Sequence, residues 1–303
     1  MKQFQYGGQA VIEGVMMRGA EHVAVAVRNP KGEIVVHREP LSRHIYSGLV
    51  ARTPFLRGLT LLWDSLVLGV RALMYSADVA LSDETDVSFS GPLAWGTLAG
   101  SLAVGIGLFF LLPVLVVRLV DQYVASALAS NLLEGLIRLA LFVGYLALVG
   151  RMPDMQRVFA YHGAEHKAVN ALEAGAELVP EEVQRFSTAH PRCGTAFMLL
   201  VLVVFVALAS FLGRPAFWLR ILSRLILIPI VAGVAYEAIK FSSSHRQWPL
   251  VGLLMAPGLW LQRLTTREPD PSMLQVSIAA LKAVLEEEAQ APQLSATGAV
   301  TGQ

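Results

Sequence analysis

Four long apolar segments constrain the fold of this chain more than any other feature of its sequence. They cover residues 93–117, 132–149, 196–212 and 217–238. A helix needs about 20 mainly apolar residues to cross a bilayer, and each segment is close to that length. Only 16% of all residues are charged, against about 25% in ordinary soluble domains. The sequence therefore predicts a mainly α-helical multi-pass membrane protein with about four spans, whose surroundings are the lipid bilayer.

Charge and cysteine content exclude several other classes of protein. A formal net charge of +1 does not suit a nucleic-acid binder, so no nucleic-acid partner is expected. The single cysteine, Cys193, rules out an intrachain disulfide framework. Residues 1–14 contain no apolar stretch of signal-peptide length, so no secretory signal is expected. The sequence indicates no protein partner.

Hydrophobic patterning divides the chain into seven segments. Near the N-terminus, the β-branched runs 24–27 and 34–36 flank a turn with Pro30 and Gly32, which predicts a β-hairpin. The predicted segments are 1–58 (cytosolic, glycine-rich, with the hairpin), 59–92 (amphipathic helix and linker), 93–150 (first two spans), 151–195 (cytosolic helix and loop), 196–240 (last two spans), 241–288 (cytosolic or interfacial, with a helix) and 289–303 (disordered tail).

Two apolar segments do not read as clear spans. Residues 59–75 carry Asp64 and Arg71 on one helix face, which favours an interfacial or packed amphipathic helix over a span. Residues 249–261 are too short to cross and suit a re-entrant or surface-lying segment. A capping box at 272–275 predicts the start of the last helix.

Positive charges predict the orientation in the membrane. Nine Lys and Arg precede the first span, and only Arg118 lies between the first two. The loop after the second span and the C-terminal tail hold five each. Both termini and the middle loop are therefore expected in the cytoplasm, with the protein in the plasma membrane. Arg214, Arg220 and Arg224, in and after the last short loop, disagree with this orientation.

The most informative motif is His162-Gly-Ala-Glu165-His166, an H-x-x-E-H pattern of the inverted zinc-protease type. It lies in a predicted helix over 153–174, with Pro153 in the first turn and Gly175 at the stop. The helical period turns both histidines toward the apolar face, where a buried polar group needs a partner. The pattern predicts a divalent metal site, with zinc favoured and Glu165 as general base.

A catalytic metal needs a third protein ligand, and several residues compete for that position. His190 is the first choice, and Glu237 near the end of the fourth span is the second source. Cys193 offers a thiolate, although a lone cysteine is more often a small buried hydrophobe. Glu237 has the alternative of pairing with Lys240 or another basic residue, and Glu173 is a weaker candidate. A hydrogen-bonded histidine pair without metal stays open.

Two further segments hold polar residues that suit a site. Glu13 and Arg18 lie in the glycine-rich stretch 7–19, where they would contact an anionic substrate or close over the site. A tight structural turn is the slightly preferred alternative for that stretch. Arg267 lies in the polar stretch 265–270, which either docks onto the site or only precedes the last helix.

Four motifs together resemble one known family. The stretches 7–19, 161–167, 190–195 and 264–269 are similar to the signatures of the YqhQ-like bacterial membrane proteins, and the likeness runs from about residue 7 to 285. That family is a domain of unknown function labelled as predicted metal-dependent enzymes. The resemblance implies a multi-pass protein of the bacterial inner membrane and supplies no substrate.

These observations leave two main functions. The first is a zinc-dependent membrane hydrolase with a cytosol-facing site. The second is a non-catalytic scaffold or partner subunit, with a structural metal or a hydrogen-bonded histidine pair. Transport along Glu134, Arg138, Pro229 and Glu237 is weakened by the absence of an evident inverted repeat. A di-iron oxygenase would resemble a multi-histidine cluster, whereas this chain has one i,i+4 pair.

Overall fold

A computed structural model describes residues 6–41, 53–81, 91–245 and 247–298. The chain is mainly helical, with a small antiparallel sheet at its N-terminus, as the sequence predicts. The sheet has the strand order β1-β2-β3-β4. Its strands are β1 (Gly7–Val11), β2 (Gly14–Arg18), β3 (His22–Arg28) and β4 (Ile34–Pro40). The helices are α1 (Leu56–Ala80), α2 (Pro92–Ile106), α3 (Leu112–Val120), α4 (Ala127–Val149), α5 (Pro153–Glu173), α6 (Pro180–Val183), α7 (Gly194–Ser210), α8 (Phe217–Ser244), α9 (Pro249–Thr265) and α10 (Pro271–Gly298).

The predicted hairpin is present as β3 and β4, and the glycine-rich stretch forms a second hairpin instead of an isolated tight turn. Its glycines permit close packing: a Cβ on Gly8 or Gly14 would lie closer than 3.0 Å to a backbone carbonyl oxygen of the neighbouring strand. The turn itself is made by Ile12 and Glu13. Glu13 has φ of 51°, in the left-handed region that L residues rarely adopt.

Helices cover both faces of the sheet. Strand side chains alternate between the two faces, so Val15 and Met17 point to one side and Met16 to the other. The first face packs against α5 and α10, and the second packs against α1. Because both sides are covered, β2 is almost completely buried. We call the sheet with α5 and α10 the head.

Four helical stretches in the described part of the chain are long and apolar enough to cross a membrane. They are Leu56–Ala80, Trp95–Tyr123, Ala127–Val149 and Phe217–Ser242. The number agrees with the sequence prediction, but the membership differs. The predicted third span at 196–212 is α7, which has only 17 residues, whereas α1 reaches the length of a span. The sheet before α1 and helix α5 after α4 pack against each other, so α1, α2–α3 and α4 cannot all three cross the membrane. We call α2–α4, α7 and α8 the helix layer; α7 and α8 pack through a cluster that includes Phe205 and Val231.

Near the C-terminus the structure differs from two predictions. The last helix begins at Pro271, and the side chain of Asp270 accepts hydrogen bonds from the amide of Met273 and the hydroxyl of Ser272. Asp270, not Ser272, therefore caps α10. The helix runs to Gly298, past the start of the tail predicted as disordered from residue 289; residues 299–303 and the predicted linker at 82–90 lie outside the described residues.

Candidate metal centre

Helix α5 carries the H-x-x-E-H motif and is tightly enclosed. It begins at Pro153 and is followed by Gly175 at φ of 70°, as the sequence predicts. A Cβ on Gly163 would lie closer than 3.0 Å to the carbonyl oxygen of Arg267. The amide of Arg267 donates to the carbonyl of Phe159 at 2.9 Å. A residue without a side chain between the two histidines therefore lets the segment after α9 lie directly on the site helix.

The two histidines are oriented by backbone carbonyls. Nδ1 of His162 lies 2.8 Å from the carbonyl oxygen of Thr265, and Nδ1 of His166 lies 2.5 Å from that of Thr188. A carbonyl oxygen can only accept, so each Nδ1 carries the hydrogen and each Nε2 of the neutral ring keeps its lone pair. The ring centroids are 4.4 Å apart. Both rings are thus held in the tautomer that a metal-ligating Nε2 requires.

Cys193 completes a three-residue group with the histidines. Its Sγ lies 3.4 Å from Nε2 of His162, and the ligand atoms of all three residues lie within 4.8 Å of one another. Zinc–nitrogen distances of about 2.0–2.1 Å and zinc–sulfur distances of about 2.3 Å place tetrahedral ligand atoms roughly 3.5 Å apart. The donor atoms are therefore close to the spacing that one zinc ion needs.

Cys193 lies at the start of a helix. It is the N-cap residue of α7, and its Sγ accepts a hydrogen bond from the amide of Thr195 at 3.4 Å. Cys193 is buried, yet its sulfur contacts the amide of Thr195 and Nε2 of His162. A cysteine that only fills an apolar core has no such polar neighbours.

The structure places Cys193, not His190, beside the histidine pair. His190 is buried, and its ring centroid is 5.7 Å from that of His166. The side chain of Gln262 bonds to both the amide and the carbonyl of His190, each at 2.9 Å. This double hydrogen bond fixes the loop so that the cysteine three residues later, and not His190, reaches the pair.

The two glutamates considered as further ligands have other partners. Glu237 pairs with the guanidinium of Arg57 and accepts a hydrogen bond from the amide of Phe55. It therefore joins α8 to α1, which matches the alternative of pairing with a basic residue. Glu173 pairs with Arg192, and its carboxylate lies 3.8 Å from Nε2 of His190.

Glu165 lies beside the group and is almost fully buried, with 4% exposure. Its Oε2 is 3.5 Å from Nε2 of His166. A Cβ on Gly8 would lie 3.0 Å from Cγ of Glu165, so strand β1 packs against this side chain. Burial alone would lower the pKa of His166, but the hydrogen bond with Cys193 and the charge of Glu165 outweigh burial and raise it.

The predicted contacts in the glycine-rich stretch and after α9 serve to assemble the head. Glu13 pairs with Arg157 of α5 and accepts from the hydroxyl of Tyr161 at 3.2 Å. Arg18 donates to Ser65 of α1.

Arg267 uses its guanidinium on backbone carbonyls. Its Nη1 bonds to the carbonyls of Arg263 and Thr266 at 2.9 Å, and its Nη2 bonds to that of Gly150 at 3.4 Å. The polar stretch at 265–270 therefore docks onto the site, since it also supplies the carbonyl that holds His162.

Lys167 and Gln262 belong to the site's support, although the sequence reasoning missed both roles. By the helical period Lys167 points away from the face of the two histidines, yet its side chain is 4% exposed and pairs with Glu268 at 2.7 Å. The loop after α6 covers the face that would otherwise be solvated, and the carbonyl of Gln184 also accepts from Lys167. The sequence signal that could have predicted this ion pair is the opposite charge of Lys167 and Glu268, which lie in two of the motifs that resemble the family.

Two cavities flank α9 near the group of His162, His166 and Cys193. A cavity of about 650 Å³ is lined by Thr188, Gln262 and Thr266 among others, beside the carbonyls that hold the histidines. An apolar cavity of about 310 Å³ lies between α7, α8 and α9, and Leu259 lines both.

Comparison with known proteins gives a family but no activity. Residues 53–287 match the sequence model of a protein family that is described as "Protein of unknown function (DUF1385)". The uncharacterized protein YqhQ of Bacillus subtilis (strain 168) is 34% identical over 301 residues, which is 95% of this chain and 94% of that protein. No solved structure matches the chain.

Proposed function

This chain belongs to the DUF1385 family of proteins of unknown function, and from its site we propose that it is a metal-dependent hydrolase of the membrane. Zinc is the proposed metal, with His162, His166 and Cys193 as ligands. Glu165 is the proposed general base. Cys193 takes the place of His190 and Glu237 as the proposed third ligand. Among the described residues, only this cysteine lies within ligand spacing of both histidines.

One observation carries the proposal. One nitrogen of each imidazole and the Sγ of Cys193 lie within 4.8 Å of one another, while both Nδ1 atoms are held by backbone carbonyls. Such outer-shell hydrogen bonds orient ligating histidines in metal sites and raise their basicity. Mixed nitrogen and sulfur donors suit zinc better than magnesium or calcium, which prefer oxygen.

Three protein ligands leave the fourth tetrahedral position free for water or substrate. Zinc held by the three residues would supply Lewis-acid activation of water and of a substrate oxygen. The carboxylate of Glu165 lies 3.5 Å from Nε2 of His166 and would act beside the metal as general base. Gly8 of β1 packs against the side chain of Glu165, which is 4% exposed.

We place the site on the cytoplasmic side of the plasma membrane. Helix α5 follows α4, an apolar helix long enough to cross, after three residues. The distribution of Lys and Arg in the sequence puts that end of α4, together with both termini, in the cytoplasm.

Metal content of the purified full-length protein tests the proposal. We expect stoichiometric zinc in the wild type and in Glu165→Gln, and none in Cys193→Ser or in the His162→Ala, His166→Ala double variant. Glu237→Gln is the matched control and keeps its zinc. Equal, negligible metal in all forms would refute the metal centre.

A non-catalytic scaffold or partner subunit is the second candidate. It is favoured by the contact of 3.4 Å between Nε2 of His162 and Sγ of Cys193, since this contact satisfies both atoms without a metal. Complementation of a deletion strain separates the two functions. If Glu165→Gln loads zinc but fails to complement, catalysis is supported; full complementation favours the scaffold.

A further inference from the structure

Three arginines surround one glutamate inside the helix layer. Arg138 of α4 and Arg220 and Arg224 of α8 converge on Glu134, and we call these four residues the arginine cluster. All four side chains are at least nine-tenths buried: Arg138 and Arg220 are 4% exposed, and Arg224 and Glu134 are 1% exposed.

Every arginine of the cluster bonds to the same carboxylate. Arg224 donates to both Glu134 oxygens at 3.0 and 3.1 Å. Arg220 donates to Oε2 at 3.0 Å, and Arg138 donates to Oε1 at 3.0 Å. One carboxylate therefore serves three guanidinium groups.

The charges nearest to the cluster do not balance it. Asp121 pairs with Arg220 at 3.1 Å and with Arg214 at 3.5 Å. The buried cluster alone carries three guanidinium groups and one carboxylate, which gives 3 − 1 = +2, whereas Asp121 and Arg214 are partly exposed and pair with each other. Burying uncompensated charge costs several kcal/mol per ion, so a stable site of this kind calls for an anionic partner.

The cluster lies far from the candidate metal centre along α4. Glu134 and Arg138 lie in α4, 15 and 11 residues before Val149, which is about 22 and 16 Å along the helix axis. The cluster is thus well separated from the end of α4 that leads to the metal centre. Charged groups inside apolar helices mark ligand or ion sites by default.

One atom gives the cluster an unfinished hydrogen-bonding pattern. Nη1 of Arg224 is buried and has no hydrogen-bond partner among the described residues. The cluster also contacts a π-helix, Gly107–Leu111 between α2 and α3, because the carbonyl of Phe109 accepts from Nε of Arg138 at 2.8 Å. Single-turn π-helices occur frequently at functional sites, because they release a carbonyl from the helix ladder.

We propose that the arginine cluster is a binding site for a compact phosphate-type oxyanion, either free inorganic phosphate or the headgroup phosphate of an anionic lipid. A dianion would cancel the charge of +2, and Nη1 of Arg224 is the donor that remains for it. Guanidinium groups match the geometry of phosphate oxygens. The site is independent of the metal centre and of the proposed hydrolysis.

Thermal unfolding of the purified full-length protein tests the site, because a ligand of the folded state raises the midpoint. Inorganic phosphate is titrated against chloride at equal ionic strength, and phosphatidic acid is compared with phosphatidylcholine in nanodiscs. Stabilisation by inorganic phosphate identifies the free anion, and stabilisation by phosphatidic acid alone identifies the lipid. Equal midpoints in all four conditions would overturn the proposal.

Two variants with opposite expected effects exclude a general folding defect. Arg224→Gln weakens the binding of the effective ligand at least about tenfold, the usual worth of a hydrogen bond to a charged group. Glu134→Gln raises the positive charge by one and strengthens the same binding. Arg118→Gln is the matched control, since Arg118 is an exposed arginine whose guanidinium stacks on Phe217, and its binding equals that of the wild type. Variants whose affinities all match the wild type would refute the assignment to the cluster.

Discussion

The head and the helix layer each bury a polar cluster, and the two clusters differ in the atoms that they leave for a ligand. At the head, His162 and His166 lie beside Cys193, the residue before α7, and backbone carbonyls hold both Nδ1 atoms, which leaves the other ring nitrogens and the sulfur as lone-pair donors. In the helix layer, Arg224 and its neighbours present N–H donors and an excess of positive charge. The first arrangement is suited to a cation and the second to an anion.

The comparison shows that burial alone does not decide what a polar cluster can bind. Backbone carbonyls at Thr188 and Thr265 fix the tautomers in the head, so its chemistry depends on neighbouring loops. In the helix layer the partners are side chains of α4 and α8, so its stability depends on the ion pairs themselves. Substitutions in the two regions should therefore have different consequences.

The largest expected effect is that of Glu134→Ala. Removing the shared carboxylate leaves three buried guanidinium groups without their main partner, which lowers the free energy of unfolding by about 3–5 kcal/mol. Unfolding of the purified protein in detergent measures the loss. Glu182→Ala removes an exposed ion pair with Arg185 and should cost less than about 1 kcal/mol. A similar loss of unfolding free energy in the Glu134 and Glu182 variants would show that the buried ion pairs stabilise the fold no more than an exposed one.

Cys193→Ala should reduce zinc affinity by at least about 100-fold, because even the loss of an outer-shell partner costs about 10- to 100-fold. His190→Ala is the matched substitution in the same loop and should reduce the affinity less, since His190 lies outside the group. Competition with a zinc chelator measures both. A larger loss in the His190 variant would restore that histidine as the third ligand.

Gly163→Ala should lower the free energy of unfolding by about 1–3 kcal/mol, the usual cost of overpacking. The new Cβ would overlap the carbonyl oxygen of Arg267, so the segment that holds His162 has to move. Zinc affinity should fall in parallel. Gly252→Ala in α9 is the control, because a Cβ there has nothing within 4 Å, and it should be neutral or stabilising.

Asp270→Ala should have the smallest effect, about 1 kcal/mol, from loss of the cap of α10. Burial opposes ionisation of Asp270, but hydrogen bonds from Ser272 and Met273 outweigh it and lower its pKa below the ordinary 3.8. A lowered pKa means that the carboxylate stabilises the fold above pH 3.8 and loses this contribution as the pH falls through the folded-state pKa. Asp270→Asn keeps the cap but should abolish this acid dependence, which unfolding at several pH values detects.

Sequence patterns were sufficient for the site helix but not for the third ligand. Pro153 and Gly175 bound α5, and the helical period brings His162 and His166 to one face. His190 and Cys193 are three residues apart in one loop, so spacing does not separate them. The choice depends on the side chain of Gln262, 72 residues away from His190, and no local pattern contains that contact.

The length of α7 is likewise set by its two ends. Cys193 caps α7 at its start, and Gly213 at φ of 67° follows its end, so that this helix of the helix layer has 17 residues. The buried pairing of Arg220 and Arg224 explains why they disagreed with the charge rule: they are not loop charges. The orientation itself stays a prediction.

The sheet also has a consequence for biosynthesis. Its strands leave the ribosome before α10, which covers one of its apolar faces and begins 243 residues after Arg28 at Pro271. At about 5–20 residues per second, that face stays without this helix for roughly 12–50 s. We therefore expect chaperones or the membrane insertion machinery to shield the nascent chain until α10 has been synthesised. Truncated chains lacking the last helix should be degraded rather than accumulate.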